Sequence, residues 1–318
     1  MSCSDQARTG CPRRYNPTVP SFLGVDVGGT KVAVAAVQGG EARHAVEHPT
    51  VLDSTGALLD GIESAIREVS AAAGAPEAIG IGVPSQVEWA TGTVLASVNI
   101  PLAGVPLRDE LGRRFGVPVY VDNDASCAAL AEADAIGATE LVMLTLGTGV
   151  GGGIVTGGRI FRGAHGLGGE LGHAVVEADG PECPGAGCPN HGCLEALCSG
   201  TALERAAGRK GREVVDAARN GDADAQAHLD RLGRYLGIGI SNMVNVFQPE
   251  VVVIGGGLSA ASDLFLETAV AEAGSRALPT LWERVIVQVA QAGNAAGVIG
   301  AGLLALQEHS RAGDTAGP

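Results

Sequence analysis

Apolar and polar positions divide the chain into short apolar runs ending at glycine and longer segments of helical period. The runs predict strands at 22–27, 31–37, 78–83, 118–122, 140–146, 152–156 and 251–254, with another near 284–289. Helical spacing predicts helices over about 55–73, 106–115, 124–136, 194–207, 223–246, 262–273 and 294–308. A strand meander followed by alternating helix and strand is an α/β pattern. FLGVDVGGTKVAV and LVMLTLGTGVGGGIV share one form: apolar strand, turn of Gly and Thr, second strand. Two copies of one hairpin predict two related halves facing a cleft.

Composition narrows the classes. The 318 residues allow one large or two medium domains. Hydrophobic residues make up 46% but aromatics only 3%, so aliphatic side chains must fill the core. The net charge of −14 repels phosphate backbones and argues against nucleic acid as the main partner. No basic run favours a membrane surface, and no apolar stretch reaches about 18 residues. Residues 1–21 lack the apolar core of a signal peptide and are expected to form a disordered lead, with 309–318 a disordered tail. The expectation is a cytoplasmic protein. Four of the seven cysteines, Cys183, Cys188, Cys193 and Cys198, fall in a Gly/Pro-rich loop and the start of a helix, which points to metal rather than disulfides.

Neither glycine turn fits the commonest nucleotide motifs. In GVDVGGTK, Thr30 precedes Lys31, the reverse of a P-loop, and a strand follows. GTGVGG (147–152) matches G-x-G-x-x-G, but again a strand follows where a helix is required. Glycine turns still expose backbone N–H groups and admit phosphate oxygens closely. A carboxylate at Asp26 would repel phosphate and suits Mg²⁺ instead. Two ordinary tight hairpins are the plain alternative. Gly255, Gly256 and Gly257 end a third apolar strand, where α/β folds gather ligands, and the adenosine is expected there.

VYVDNDASCAA places Asp122, Asn123 and Asp124 at a strand end before a helix. One carboxylate there can accept the proton of an attacking hydroxyl. On this segment alone a helix N-cap is the better reading of Asp124, and Asp122 is its rival as base. His173, Cys183, Cys188 and Cys193 make a tetrahedral Zn²⁺ set, with His191 and Cys198 as rival ligands and reduced, unmetallated thiols as the alternative.

Six blocks carry a resemblance: GVDVGGTKVAVA, VYVDNDASCAALAE, LTLGTGVGGGIV, GAHGLGGELGH, CPNHGCLEALCSG and VVVIGGGLS. In this order and spacing they resemble the ROK family of sugar kinases, close to its bacterial glucokinases, over about residues 22–308. The resemblance implies the actin/Hsp70/hexokinase-like (ribonuclease H-like) fold, two α/β domains closing on ATP and sugar. The expected domains are 22–129 with 295–308, and 130–294 with a zinc loop at 173–198. It implies phosphoryl transfer from ATP with Mg²⁺ to a hexose, with glucose expected and N-acetylhexosamine, mannose or fructose as alternatives. The family also holds sugar-sensing regulators with a DNA-binding module; the roughly 21 residues before the first strand are expected to be too few for that module, so the alternative of another class is a sugar-sensing regulator lacking it.

By the same resemblance Asp124 is the base. Asn99, Asn123, Asp124, Glu170, His173 and Glu195 contact sugar. Gly28, Gly29, Thr30 and Lys31 hold nucleotide phosphates, as do Gly147, Thr148 and Gly149, with Asp26 beside them toward Mg²⁺ and Gly255, Gly256 and Gly257 by the nucleoside. The zinc is structural. The chain departs from the family form at Ala186, where a Cys is usual, and at Ser85 and Gln86 after Pro84, which puts the sugar preference in question. The last helix is expected to return to the first domain. A homodimer is implied by the resemblance, and Gly237 and Gly239 in helix 223–246 would permit close approach of a partner, although a buried core helix fits as well.

Overall fold

The computed structural model describes residues 21–315. Residues 1–20 of the expected lead (1–21) and the final residues 316–318 lie outside it. The first half opens with β1 (Phe22–Val27) and β2 (Lys31–Gln38), paired antiparallel with Val25 opposite Val34. Next comes β3 (Glu41–Pro49), an exposed edge strand whose EARHAVEHP sequence lacks an apolar run and escaped prediction. Helix α1 (Thr55–Ala73) starts at Ser54, whose Oγ accepts the Ala57 amide at 3.2 Å. Its Leu58, Ile62, Ala65, Ile66 and Val69 recur at helical spacing and bury one stripe in the first core.

Strand β4 (Ala78–Val83) runs parallel to β1. The hairpin β5 (Ser85–Glu88) and β6 (Thr93–Ser97) and helix α2 (Leu107–Phe115) lead to β7 (Val119–Asn123), parallel to β4. The first sheet is ordered β3-β2-β1-β4-β7. After α3 (Asp124–Ile136) the plan repeats. Strands β8 (Leu141–Leu146), β9 (Val150–Thr156) and β10 (Arg159–Ile160) form the antiparallel part. Helices α4 (Leu194–Cys198), α5 (Gly200–Ala207), α6 (Gly211–Arg219) and α7 (Ala223–Phe247) precede β11 (Val251–Gly255). Helices α8 (Leu266–Arg276) and α9 (Pro279–Trp282) precede β12 (Ile286–Val289), and α10 (Ala296–Thr315) closes the chain. The second sheet is ordered β10-β9-β8-β11-β12. In both sheets two antiparallel pairings are followed by two parallel ones. The hairpin echo in the sequence thus extends to a whole five-stranded sheet.

Helix α3 joins the halves. Its Cys127 and Leu130 pack with Ala301, Leu303 and Leu304 of α10, while Ala129 and Ala133 pack with Leu141, Met143 and Val155 of the second sheet. The last helix does return to the first sheet: a Cβ on Gly24 or Gly80 would overlap the carbonyl oxygen of Val298 or Ala301. Only glycine lets α10 lie that close to β1 and β4.

Several expectations are corrected. The helix expected over 194–207 breaks at Ser199, which is extended (φ −80°, ψ 166°) and caps α5 by accepting the Ala202 amide at 3.0 Å. Helix α6 was missed. The helix expected over 262–273 is a 3-10 segment, Gly257–Leu264, followed by α8. The tail expected to be disordered from 309 continues α10 through residue 315. Gly237 packs on Ala269 and Glu272 of α8, and Gly239 on Leu194, so both serve packing inside the chain rather than a partner. No helix among the described residues is long and apolar enough to cross a membrane.

Candidate active site

Where the two halves face each other lies a cavity of about 780 Å³. The first half contributes Ser85, Gln86, Asn99, Asn123 and Asp124; the second contributes Gly147, Thr148, Gly149, Glu170, His173 and Glu195. A smaller cavity of about 570 Å³ shares Gly147, Thr148 and Thr201 with it and continues past Arg212, Val215, Arg219, Gly257 and Leu258.

The junction of β7 and α3 decides the roles of three adjacent residues. Asn123, not Asp124, is the N-cap: its Oδ1 accepts the Ala125 amide at 2.9 Å and the Ser126 amide at 3.2 Å. The cap leaves Asn123 Nδ2, 3.5 Å from the Ser85 carbonyl, as the end that can meet a ligand. Asp122 is committed as well. It is 4% exposed, receives Arg162 Nε at 2.7 Å on Oδ2 and accepts the Asn123 amide on Oδ1. Asp124 remains as the carboxylate opening on the cavity, with Oδ1 held by the Ala125 amide at 2.8 Å. Burial raises its pKa above the usual carboxylate value, and the charge of Glu170 adds to this.

On the opposite wall Glu195 is buried and its Oε2 accepts the Val150 amide at 2.9 Å, tying α4 to the glycine turn at the start of β9. His173 has two faces: Nε2 lies 4.0 Å from Glu170 Oε2, and Nδ1 lies 3.6 Å from Cys183 Sγ. His173, Cys183, Cys188 and Cys193 offer four ligand atoms all within 4.8 Å of one another. The rivals stand apart. Cys198 is buried on α4 and donates to the Leu232 carbonyl, and His191 is exposed and outside the cluster.

The two turns are built alike. The Gly28 amide closes the first by donating to Lys31 O at 2.8 Å; the Gly147 amide closes the second by donating to Gly149 O at 2.9 Å. Gly28 and Gly147 therefore have no amide to offer a phosphate. Gly29 and Thr30 in one turn, and Thr148 and Gly149 in the other, make no amide hydrogen bond among the described residues. Only the second turn lines the large cavity. The first lies behind Asn99: a Cβ on Gly29 would sit 3.8 Å from the Asn99 Cβ. Asp26 is pushed up to about 6, by burial first and then by the charge of Asp124.

Six expected residues are not brought to the cavities: Asp26, Gly28, Gly29 and Thr30 of the first turn, Lys31 and Gly255. Lys31 pairs with Glu47 of β3 at 2.5 Å on an exposed face. Gly255 lies inside β11 beside Met143 and Ala290, whereas Gly256 (φ +82°) and Gly257 do reach them. Thr201 was missed. Its Oγ1 donates to Thr148 O at 2.8 Å and it lines both cavities. The signal was Ser-Gly-Thr in the middle of an expected helix, a poor interior for one.

Two five-stranded sheets of identical pairing, with α10 returning to the first and a ligand cavity between them, define the actin/Hsp70/hexokinase-like fold class. The ROK family model matches residues 22–308, and the chain belongs to that family. It is 35% identical to a glucokinase of Halalkalibacterium halodurans, over 91% of this chain and 96% of the relative. It is also 35% identical to an N-acetyl-D-glucosamine kinase of Aliivibrio salmonicida, over 75% of this chain and 84% of that one. Among solved structures it matches a ROK hexokinase from Thermus thermophilus with TM-score 0.82 and 36% identity, covering 92% and 99% of the two chains. A ROK glucokinase from Streptomyces griseus, in complex with glucose and AMPPNP, matches with TM-score 0.74 and 34% identity, covering 90% and 99%.

Proposed function

We propose that this chain is a cytoplasmic, ATP-dependent hexose kinase whose substrate is glucose, phosphorylated at its 6-hydroxyl. The observation that carries the reading is a single cavity onto which Asp124 and the free amides of the 147–149 turn open together. Asp124 takes the hydroxyl proton. Its raised pKa makes it a stronger base than a solvated carboxylate, and such a base contributes about 10²–10⁴ in rate. Asn123 Nδ2, Asn99, Glu170, His173 Nε2 and Glu195 meet the sugar hydroxyls; a wrong sugar leaves some of them unpaired. The Thr148 and Gly149 amides hold phosphate oxygens, and the adenosine runs along the smaller cavity past Gly257 and Arg219. Asp26 suits a hydrated Mg²⁺, whose charge would offset that of the phosphates. The glucose and AMPPNP complex of the Streptomyces griseus relative supports both ligands. Closure of the two halves excludes water that would otherwise hydrolyse ATP.

The Cys/His cluster fits Zn²⁺, since one imidazole nitrogen and three thiol sulfurs already converge. His173, Cys183, Cys188 and Cys193 would hold it, and the ion would pin the loop that presents His173 and leads into Glu195. A homodimer belongs to the same proposal and rests on family likeness alone. The N-acetylglucosamine kinase relative, together with Ser85 and Gln86 on the cavity wall, favours an N-acetylhexosamine as the second reading.

An ADP-release assay over glucose, N-acetylglucosamine, mannose and fructose tests the proposal. Glucose is expected to give the highest kcat/KM. Asp124→Asn should lose about 10²–10⁴ in kcat with glucose still bound. No sugar-dependent ADP release from the unaltered chain, or near-normal turnover by Asp124→Asn, overturns it.

A further inference from the structure

One cation outside the cavity reaches several of the elements that build it. Arg162 follows β10, in the second half, yet its partners lie elsewhere in the chain. Its Nε donates to Asp122 Oδ2 at 2.7 Å at the end of β7, and its Nη1 to Glu308 Oε1 at 3.3 Å on α10. Its guanidinium lies 3.5 Å from the centre of the Trp89 ring, in the turn after β5. Trp89 in turn abuts Gly166 (φ +91°), four residues before Glu170, where a Cβ would reach within 2.5 Å of the Trp89 amide nitrogen. The side chains of Asp122, Glu308 and Arg162 are 5%, 9% and 13% exposed. Arg159 and Arg311 also pair with Glu308.

This is a buried network with geometry that only Arg can supply: a fork for two carboxylates and a flat face for an indole. A buried ion pair is poor evidence for stability, because desolvation offsets the attraction. Its value lies in position. Asp122 Oδ1 accepts the Asn123 amide, and Asn123 caps the helix on which Asp124 is the first residue. Arg162 is therefore bonded to the strand end that precedes the Asp124 carboxylate, and through Trp89 it is in contact with the loop before Glu170.

We infer that Arg162 is a positioning residue for the phosphoryl-transfer step, acting through Asp122 on the base and through Trp89 on the Glu170 loop. The inference rests on the kinase reading above. A shift of about 1 Å at a reacting group costs on the order of 10²-fold in rate, so the effect falls on kcat.

The test uses the full chain and three variants: Arg162→Lys, Arg162→Met, and the double variant Asp122→Asn/Arg162→Met. Arg162→Met strands a buried carboxylate and should lower Tm; the double variant removes that charge and should recover most of the Tm. All three are expected to lose about 10²-fold in kcat, with KM for the sugar changed less than about threefold. If the double variant recovers kcat along with Tm, the network serves stability only and the proposal is overturned. It is overturned too if folded Arg162→Lys and Arg162→Met turn over at the normal rate. If the unaltered chain phosphorylates no hexose, the kinase reading falls first and takes this inference with it.

Discussion

Replacing Asp26 by Asn should make the protein more stable and less active at once. The carboxylate sits at the end of β1 against α10, where a Cβ on Gly297 would overlap it. Its pKa is raised from 3.8 to about 6, chiefly by burial and next by Asp124. Each pKa unit corresponds to 1.36 kcal/mol, so ionised Asp26 costs the folded state about 3 kcal/mol at neutral pH. The folded chain holds this proton more tightly than the unfolded chain. Stability from this group is therefore fully present below about pH 4 and is lost as pH rises through about 6. Asn carries no charge to desolvate. In magnesium-free buffer at pH 7, Asp26→Asn should raise Tm by roughly 5 °C, from about 2.1 cal/mol/K of unfolding entropy per residue. The gain should shrink toward zero as the buffer approaches pH 4. Magnesium ions should narrow it too, by stabilising the unaltered chain alone, while kcat of the variant falls. Thermal unfolding across pH 4–8, with and without magnesium, checks this. An unchanged or lower Tm at pH 7, or a gain independent of pH, refutes the argument.

Three other outcomes are expected. Protein purified without chelator should carry about one zinc per chain by elemental analysis, and Cys183→Ser should lose it and raise KM for the sugar; metal-free unaltered protein refutes the site. Thr201→Val removes the hydroxyl bonded to Thr148 O and should raise KM for ATP about twofold to thirteenfold, from roughly 0.5–1.5 kcal/mol per hydrogen bond, with KM for glucose unchanged. Gly80→Ala places a methyl against the Ala301 carbonyl and should destabilise by about 1–3 kcal/mol in thermal unfolding; an unchanged Tm would mean that α10 is not seated on β4.

What the sequence made legible follows from where burial is complete. Strands such as AIGIGV and LVMLTL are covered on both faces and read as unbroken apolar runs, so β4 and β8 could be placed to within one residue. The edge strand β3 and the hairpin β5–β6 carry polar positions on open faces, and their pattern does not differ from a loop. Helix α6 buries only Val214 and Ala218, too narrow a stripe to stand out. The same logic governs the site. The convergence of His173, Cys183, Cys188 and Cys193 was legible because their spacing restricts the chemistry, whereas Asp124 and Glu195 on the cavity wall were reached through the family resemblance. Arg162 was not legible, because its partners at 89, 122 and 308 are joined only by the fold.

The two halves share a plan but not a chemistry, and this divides the work between their turns. In the repeated hairpins Asp26 stands where Thr145 stands, each near the end of the first strand and before the turn. Gly82 is the parallel neighbour of Asp26 and Gly255 that of Thr145, so Gly255 is the structural counterpart of a packing glycine, which explains its absence from the cavity wall. The first half gathers carboxylates at its strand ends: Asp26, Asp122 and Asp124. The second gathers neutral donors at the equivalent place: Thr145, Thr148 and the Gly149 amide. On the proposed reading a triphosphate is repelled by the first set and held by the second. The 147–149 turn can therefore bind phosphate directly, whereas the 26–30 turn can act on it only across a cation. An Asp at position 145 would abolish that asymmetry. Thr145→Asp should weaken ATP binding far more than sugar binding, and equal losses for both ligands would show that the turns are not specialised in this way.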